Sequence, residues 1–144
     1  MQPIAEVTFT RPWHWGIAIV GDPAAGVPTE LDGVVAVGRD VVTVSVRHAQ
    51  DVEAERCEGD WSWATATFHV RSLAQEEAID RLVLCDVQIA TPGQSLALGD
   101  ADVTVHLPTP GRRTRVVVSA DEIDPTGLEH VWIDLLGADD ARRG

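Results

Sequence analysis

The amino-acid sequence predicts an all-β protein, a single-domain antiparallel β-sandwich of about eight or nine strands. Short runs of alternating or Val-rich residues recur along the whole chain, and Gly, Pro and Asp separate them. No repeated helical pattern of roughly 10–15 residues lies between these runs. Regular spacing without such helices excludes alternating strand–helix units and favours two packed antiparallel sheets.

The first half of the chain supplies four predicted strands, over residues 4–9, 17–20, 34–37 and 41–47. Arg11-Pro12 ends the first run, because proline cannot donate to a β-ladder. Gly38-Arg39-Asp40 joins the third and fourth runs as a hairpin, since three-residue hairpin connections favour glycine. In the fourth run Val42, Val44 and Val46 share one face, as a half-buried strand requires.

The second half supplies five predicted strands, over residues 63–70, 82–90, 103–107, 115–120 and 129–136. We expect 103–107 and 115–120 to pair as a second hairpin across residues 108–114. Leu96 and Leu98 are expected to hold an intervening turn region against the core. Residues 72–81 alone have helical character, because Ser72 and Gln75 resemble a capping box, and at most one short helix is expected there.

The length and charge limit the class of partner. We expect one domain over residues 1–137 and a charged tail over residues 138–144. The chain carries 23 acidic residues and 11 Arg, a net charge of −12. Nucleic acid and anionic membranes are therefore excluded as partners, because both attract the opposite charge. Residues 1–6 lack the basic start of a signal peptide, so a cytoplasmic location is expected.

Few residues in the sequence favour a catalytic function. Cys57 lies among acidic residues, which disfavour a reactive thiolate, and Cys85 lies in an apolar run typical of a buried, inert thiol. His69, His106 and His130 fall on the polar sides of their strands, where two on adjacent strands could bind zinc. The spacing of these histidines along the chain does not require a zinc site. We therefore expect no catalytic residue, no bound metal and no cofactor.

Two kinds of binding surface remain. Trp63 and Trp132 lie on the polar sides of their strands, and an outward indole offers a flat apolar platform. The acidic residues fall mainly in connections, so several could meet at one end of the sandwich. Clustered negative charge can imitate a nucleic-acid backbone and steer a basic protein into contact. The candidate acidic binding residues are Asp51, Glu53, Glu55, Asp121, Glu122 and Asp124.

The second half of the chain resembles the competence protein J family, which is also described as DNA-entry nuclease inhibitors. The resemblance lies in Phe68-His69-Val70, in the run from Val103 to Pro108, in Asp121-Glu122 and in the closing run from Glu129 to Leu135. It implies a small β-sandwich that binds and inhibits a nuclease. These are strand-pattern positions, so no binding residue of the family is transferred to this chain.

These observations favour a non-enzymatic protein that binds a basic protein partner, as an inhibitor or immunity-type protein, with a nuclease as the natural target. A small-ligand or carbohydrate-binding module that uses Trp63 and Trp132 is the alternative. A metal-dependent enzyme built on the outward histidines is the third. Exposed sheet edges could also pair two copies into a homodimer.

Overall fold

The computed structural model describes residues 5–13, 16–21, 35–38, 40–46, 65–73, 79–99, 104–121 and 128–137. They form ten strands and no helix, which confirms the predicted all-β class. No described segment is a helix that could cross a membrane. The strands are β1 (Ala5–Arg11), β2 (Ile17–Gly21), β3 (Val35–Gly38), β4 (Val41–Ser45), β5 (Ala66–Leu73), β6 (Leu82–Ala90), β7 (Ser95–Gly99), β8 (Thr104–Pro108), β9 (Arg113–Ala120) and β10 (His130–Gly137).

The strands form two five-stranded sheets. The first sheet has the order β1-β5-β10-β9-β6, and the second has the order β3-β4-β2-β7-β8. Seven of the eight strand pairs described are antiparallel, including the predicted β3–β4 hairpin. The eighth pair, β5–β10, is parallel. The sandwich is therefore mixed at the centre of its first sheet, where the sequence predicted only antiparallel pairs.

The predicted second hairpin is wrong. Residues 104–108 form β8, which pairs with β7 in the second sheet, whereas residues 113–120 form β9, between β10 and β6 in the first sheet. The connection 109–112 thus crosses from one sheet to the other. The cause of the error is β7 itself, which we expected to be a turn region: with its Leu96 and Leu98 both buried, it supplies the partner that β8 needs.

The capping-box signal at Ser72 does not begin a helix. Ser72 and Leu73 are the last residues of β5, and Ser72 pairs with Ala5 and Leu135 on the two neighbouring strands. Pairing on both sides outweighs a local preference of a few residues. Residues 79–81 have no helical structure, and residues 74–78 lie outside the described part of the chain.

The core lies between the sheets and is built mainly from Val, Leu and Ile, as the composition indicates. Phe68 and Trp13 are fully buried, with ring centroids 5.1 Å apart, and Phe9 packs against both. The indole N–H of Trp13 donates to the carbonyl oxygen of Ala66. Each large apolar side chain buried in this way contributes about 1.5–3 kcal/mol. Trp13 therefore ties the β1–β2 connection to the core.

The strand register divides the sandwich into two ends. At one end β1, β4, β7 and β9 finish and the other six strands begin; at the opposite end this is reversed. The two sheets meet at the first end through a bridge between Val46 and Leu128. At the opposite end the Ala90 N–H donates to Asp40 Oδ1 at 2.9 Å. The first contact joins the connections 46–65 and 121–129, and the second joins the connection 39–40 to the end of β6.

Candidate binding surface

The connections that join strands at one end of the sandwich carry most of the negative charge. Four connections both begin and finish there: residues 12–16, 46–65, 100–103 and 121–129. Together they contain 11 acidic residues and two Arg, a net charge of −9. The three connections confined to the opposite end contain one acidic residue and two Arg, a net charge of +1. We call the first of these the acidic end.

The strand framework itself is almost neutral. The ten strands hold three acidic side chains and four Arg, a net charge of +1, whereas the rest of the chain holds 20 acidic residues and seven Arg. The charge is therefore a property of the connections, as predicted. The sequence did not show whether the acidic connections lie at the same end. The strand topology shows that three of them, 46–65, 100–103 and 121–129, join strands at the same end.

Asp121 and Trp132 are the two predicted binding residues that lie in the described part of the chain. Asp121 is exposed directly after β9, and Trp132 is half-buried on the outer face of the first sheet, as its position in the alternation predicts. Asp51, Glu53, Glu55, Trp63, Glu122 and Asp124 lie outside the described residues. All six belong to connections 46–65 and 121–129, which join strands at the acidic end.

An aromatic cluster adjoins the acidic end on the outer face of the first sheet. We call His69, His130, Trp132 and Arg81 the aromatic patch. The His69 and Trp132 rings stack with centroids 4.7 Å apart, and the Arg81 guanidinium lies 4.7 Å from the indole centroid. His69 pairs with Trp132 from β5, whereas Arg81 approaches from the β9 side. Both indole faces are therefore covered, which leaves Trp132 no free face on which to stack a sugar.

A buried carboxylate holds Arg81 in place. Asp134 is 1% exposed, two residues beyond Trp132 on the same face of β10. Its Oδ1 accepts a hydrogen bond from Arg71 Nε at 2.9 Å, and its Oδ2 lies 3.9 Å from an Arg81 terminal nitrogen. Arg81 Nε also donates to Ser119 Oγ at 3.1 Å. A buried charge needs such pairing, and the hydrogen bond to Ser119 places the Arg81 side chain over β9, beside Asp134.

The two histidines of the aromatic patch are neighbours. His69 Nε2 and His130 Nδ1 are 3.5 Å apart, on the adjacent parallel strands β5 and β10. Burial lowers the pKa of His69 from its usual value of 6.5, and the nearby charges of His130 and Arg81 lower it further. Asp121 opposes this shift. His69 is thus biased towards its neutral form, with an acidic residue close enough to act on it.

The remaining chemical candidates have structural roles. Cys85 is a buried free thiol, as predicted, and burial together with Asp86 raises its pKa. A basic run over residues 112–115 could have gripped an anion, but its Arg115 pairs with Asp86 through two hydrogen bonds of 2.8 and 2.7 Å. The basic run thus meets an acidic residue on the neighbouring strand β6. Within the described residues, no three His, Cys, Asp or Glu side chains are grouped to hold a metal ion.

Sequence reasoning identified the outward position of His69, His130 and Trp132 but not their contact. The alternation within a strand shows which face a side chain occupies, but not which strand lies beside it. The parallel pairing of β5 with β10, which brings the three rings together, spans more than 50 intervening residues and leaves no local signal. Arg81 was missed for the same reason.

Comparison with known proteins shows the fold. No family model matches the chain, and no curated protein matches it. Solved structures that match it include ComJ, inhibitor of the DNA degrading activity of NucA, from Bacillus subtilis, at 7% sequence identity over 95% of this chain and 98% of that one, with a TM-score of 0.56. Another is Crocagin biosynthetic gene J, at 14% identity over 92% and 95%, with a TM-score of 0.51. The chain is thus similar in fold to both proteins over nearly its whole length.

Proposed function

We propose that this protein acts without catalysis, as an inhibitor-type partner that binds a basic protein through its acidic end, with a nuclease as the foremost target. The observation that carries the proposal is the concentration of charge: connections with a net charge of −9 join one end of a nearly neutral framework. A surface of one sign raises the association rate of an oppositely charged partner and disfavours partners of the same sign.

A nuclease is the natural class of target because a protein that holds a phosphate backbone must present positive charge. Carboxylates in the connections between strands can bind that positive surface and so prevent nucleic acid from binding there. The likeness in fold to ComJ, an inhibitor of a DNA-degrading activity, supports the proposal. The connections 46–65 and 121–129 contain the predicted acidic binding residues and would make the contact.

The test begins with immobilised protein and a lysate of the native host at low salt. Proteins released by raised salt are assayed for DNA degradation with and without added free protein. The proposal expects a basic protein in the salt eluate whose DNA degradation slows when the free protein is added. An eluate of acidic proteins, or DNA degradation that the free protein leaves unchanged, contradicts it.

Matched variants locate the surface. Asp51→Asn, Glu53→Gln and Glu55→Gln together remove three negative charges from connection 46–65. Asp22→Asn, Asp139→Asn and Asp140→Asn remove the same charge from positions that closely follow the ends of β2 and β10, at the opposite end. We expect the first triple variant to lose most of the captured partner and the second to retain it. Equal capture by both would place the contact elsewhere.

A further inference from the structure

We propose that His69 and His130 form a binding site for a divalent transition-metal ion such as Zn²⁺ or Ni²⁺, with His69 Nε2 and His130 Nδ1 as the two protein ligands. The site lies on the outer face of the first sheet and does not depend on the proposed function.

The distance between the two nitrogens is that of two ligands of one ion. His69 Nε2 and His130 Nδ1 are 3.5 Å apart. Two imidazole nitrogens that each lie about 2.0–2.1 Å from a tetrahedral zinc ion are about 3.4 Å from each other. The pair therefore needs almost no change in separation to chelate an ion.

The orientation of the rings brings the two nitrogens together. The two imidazole planes are within 18° of each other, and their centroids are 5.7 Å apart. This exceeds the nitrogen–nitrogen distance by about two ring radii, so the nitrogens lie between the rings and face each other. The contact suits a hydrogen bond between the rings, and each ring would have to turn by about 30–35° to point its lone pair at an ion 2.0–2.1 Å from both nitrogens.

The surroundings hold the His69 ring in place, whereas the His130 ring is exposed. Trp132 stacks on His69 at 4.7 Å and lies 6.1 Å from the His130 ring, with planes inclined by 12° and 29°. Its other face is covered by Arg81, which donates a hydrogen bond to Ser119. Ligands whose positions are set by packing lose little freedom on binding, which favours chelation.

The charges near the two rings are mixed, because Arg81 lowers the pKa of His69 more than Asp121 raises it. Asp121 acts electrostatically on His69, and the connections at the adjoining acidic end carry a net charge of −9. Imidazole ligands select the zinc, nickel and copper class, whereas Mg²⁺ and Ca²⁺ require oxygen ligands. Within the described residues no third ligand joins the pair, so the other coordination positions would take water or a side chain of a bound partner.

Calorimetric titration of the full chain with Zn²⁺ or Ni²⁺, after treatment with a chelator, tests the proposal. We expect one ion per chain, and at least tenfold weaker binding in His69→Gln and in His130→Gln. His106→Gln is the matched control, because His106 is exposed on β8 of the second sheet; its affinity should equal that of the wild type. Mg²⁺ should give no heat of binding.

Binding with wild-type affinity in both His69→Gln and His130→Gln would overturn the proposal, as would the absence of any Zn²⁺ or Ni²⁺ binding. A second measurement does not depend on the variants: Zn²⁺ should shift the ring ¹⁵N resonances of His69 Nε2 and His130 Nδ1 in the wild-type protein and leave those of His106 in place. Uniform small shifts of all histidines would count equally against the site.

Discussion

The two ends of the sandwich are built differently. At the opposite end the connections 39–40, 91–94 and 109–112 are short. Hydroxyl groups join the last two: Thr91 Oγ1 forms a hydrogen bond with Thr114 Oγ1 at 2.8 Å and donates to the Gly111 carbonyl oxygen at 2.9 Å. Asp40 attaches the first to the end of β6. At the acidic end the connection 46–65 is far longer and carries five acidic residues. The two ends therefore differ in their connections: those of the opposite end are short and joined by hydrogen bonds, whereas those of the acidic end carry most of the charge.

Trp13 anchors the acidic end in the core, and its removal should have the largest effect on stability. Trp13 is fully buried among Phe9 and Phe68. Trp13→Ala is expected to lower the free energy of unfolding by about 3–5 kcal/mol, as truncations of buried aromatic residues do. Urea denaturation measures this loss. A loss below about 1 kcal/mol would show that the connection 12–16 is not anchored by packing.

The hydroxyl network should be the next most important feature, and it should matter for stability alone. Thr91→Val keeps the shape of the side chain but removes the hydroxyl partner of Thr114, whereas the Gly111 carbonyl keeps the hydrogen bond that Thr109 Oγ1 donates at 2.8 Å. The expected loss is about 1–3 kcal/mol, with partner capture unchanged. Thr8→Val is the control, because Thr8 is exposed on β1 and its loss should be within about 0.5 kcal/mol. Equal effects of the two variants would mean that the network does not stabilise the opposite end.

The framework between the two ends should show its own pH dependence. The hydrogen bond from Arg115 lowers the pKa of Asp86 from its usual 3.8. The stabilisation is therefore fully present above pH 3.8 and is lost as the pH falls through the lower pKa of the folded state. Asp86→Asn should have a flatter profile of unfolding free energy in this acidic range. Parallel profiles for the variant and the wild type would show that the ion pair contributes nothing.

The smallest expected change in stability comes from the acidic end itself. Asp121→Asn, Glu122→Gln and Asp124→Asn together should leave the free energy of unfolding unchanged or raise it by less than about 0.5 kcal/mol, because they remove repulsion between like charges at the surface. Thermal denaturation measures this. A decrease of more than about 1 kcal/mol in the free energy of unfolding would mean that these residues stabilise the fold.

The sequence predicted the fold class because period-two alternation is a local property: Val42, Val44 and Val46 are buried together on one face, as expected. The expectation of a half-buried strand was wrong for Thr43, which is buried on the opposite face. It missed β7 because only Leu96 and Leu98 mark that strand between two turns. The acidic segments were visible in the sequence, but their convergence depends on which strands begin and finish together. The contact of His69 with His130 depends on a parallel pairing, which no local pattern encodes.

The most direct test of the account compares association rates for the two triple variants at opposite ends of the sandwich, with the captured basic partner immobilised. At low ionic strength, Asp51→Asn, Glu53→Gln and Glu55→Gln together should slow association about tenfold, and added salt should remove most of that difference. Asp22→Asn, Asp139→Asn and Asp140→Asn together should associate within about twofold of the wild type. Equal slowing by both variants would show that only the net charge matters, and would contradict the proposal that the acidic end is the binding surface.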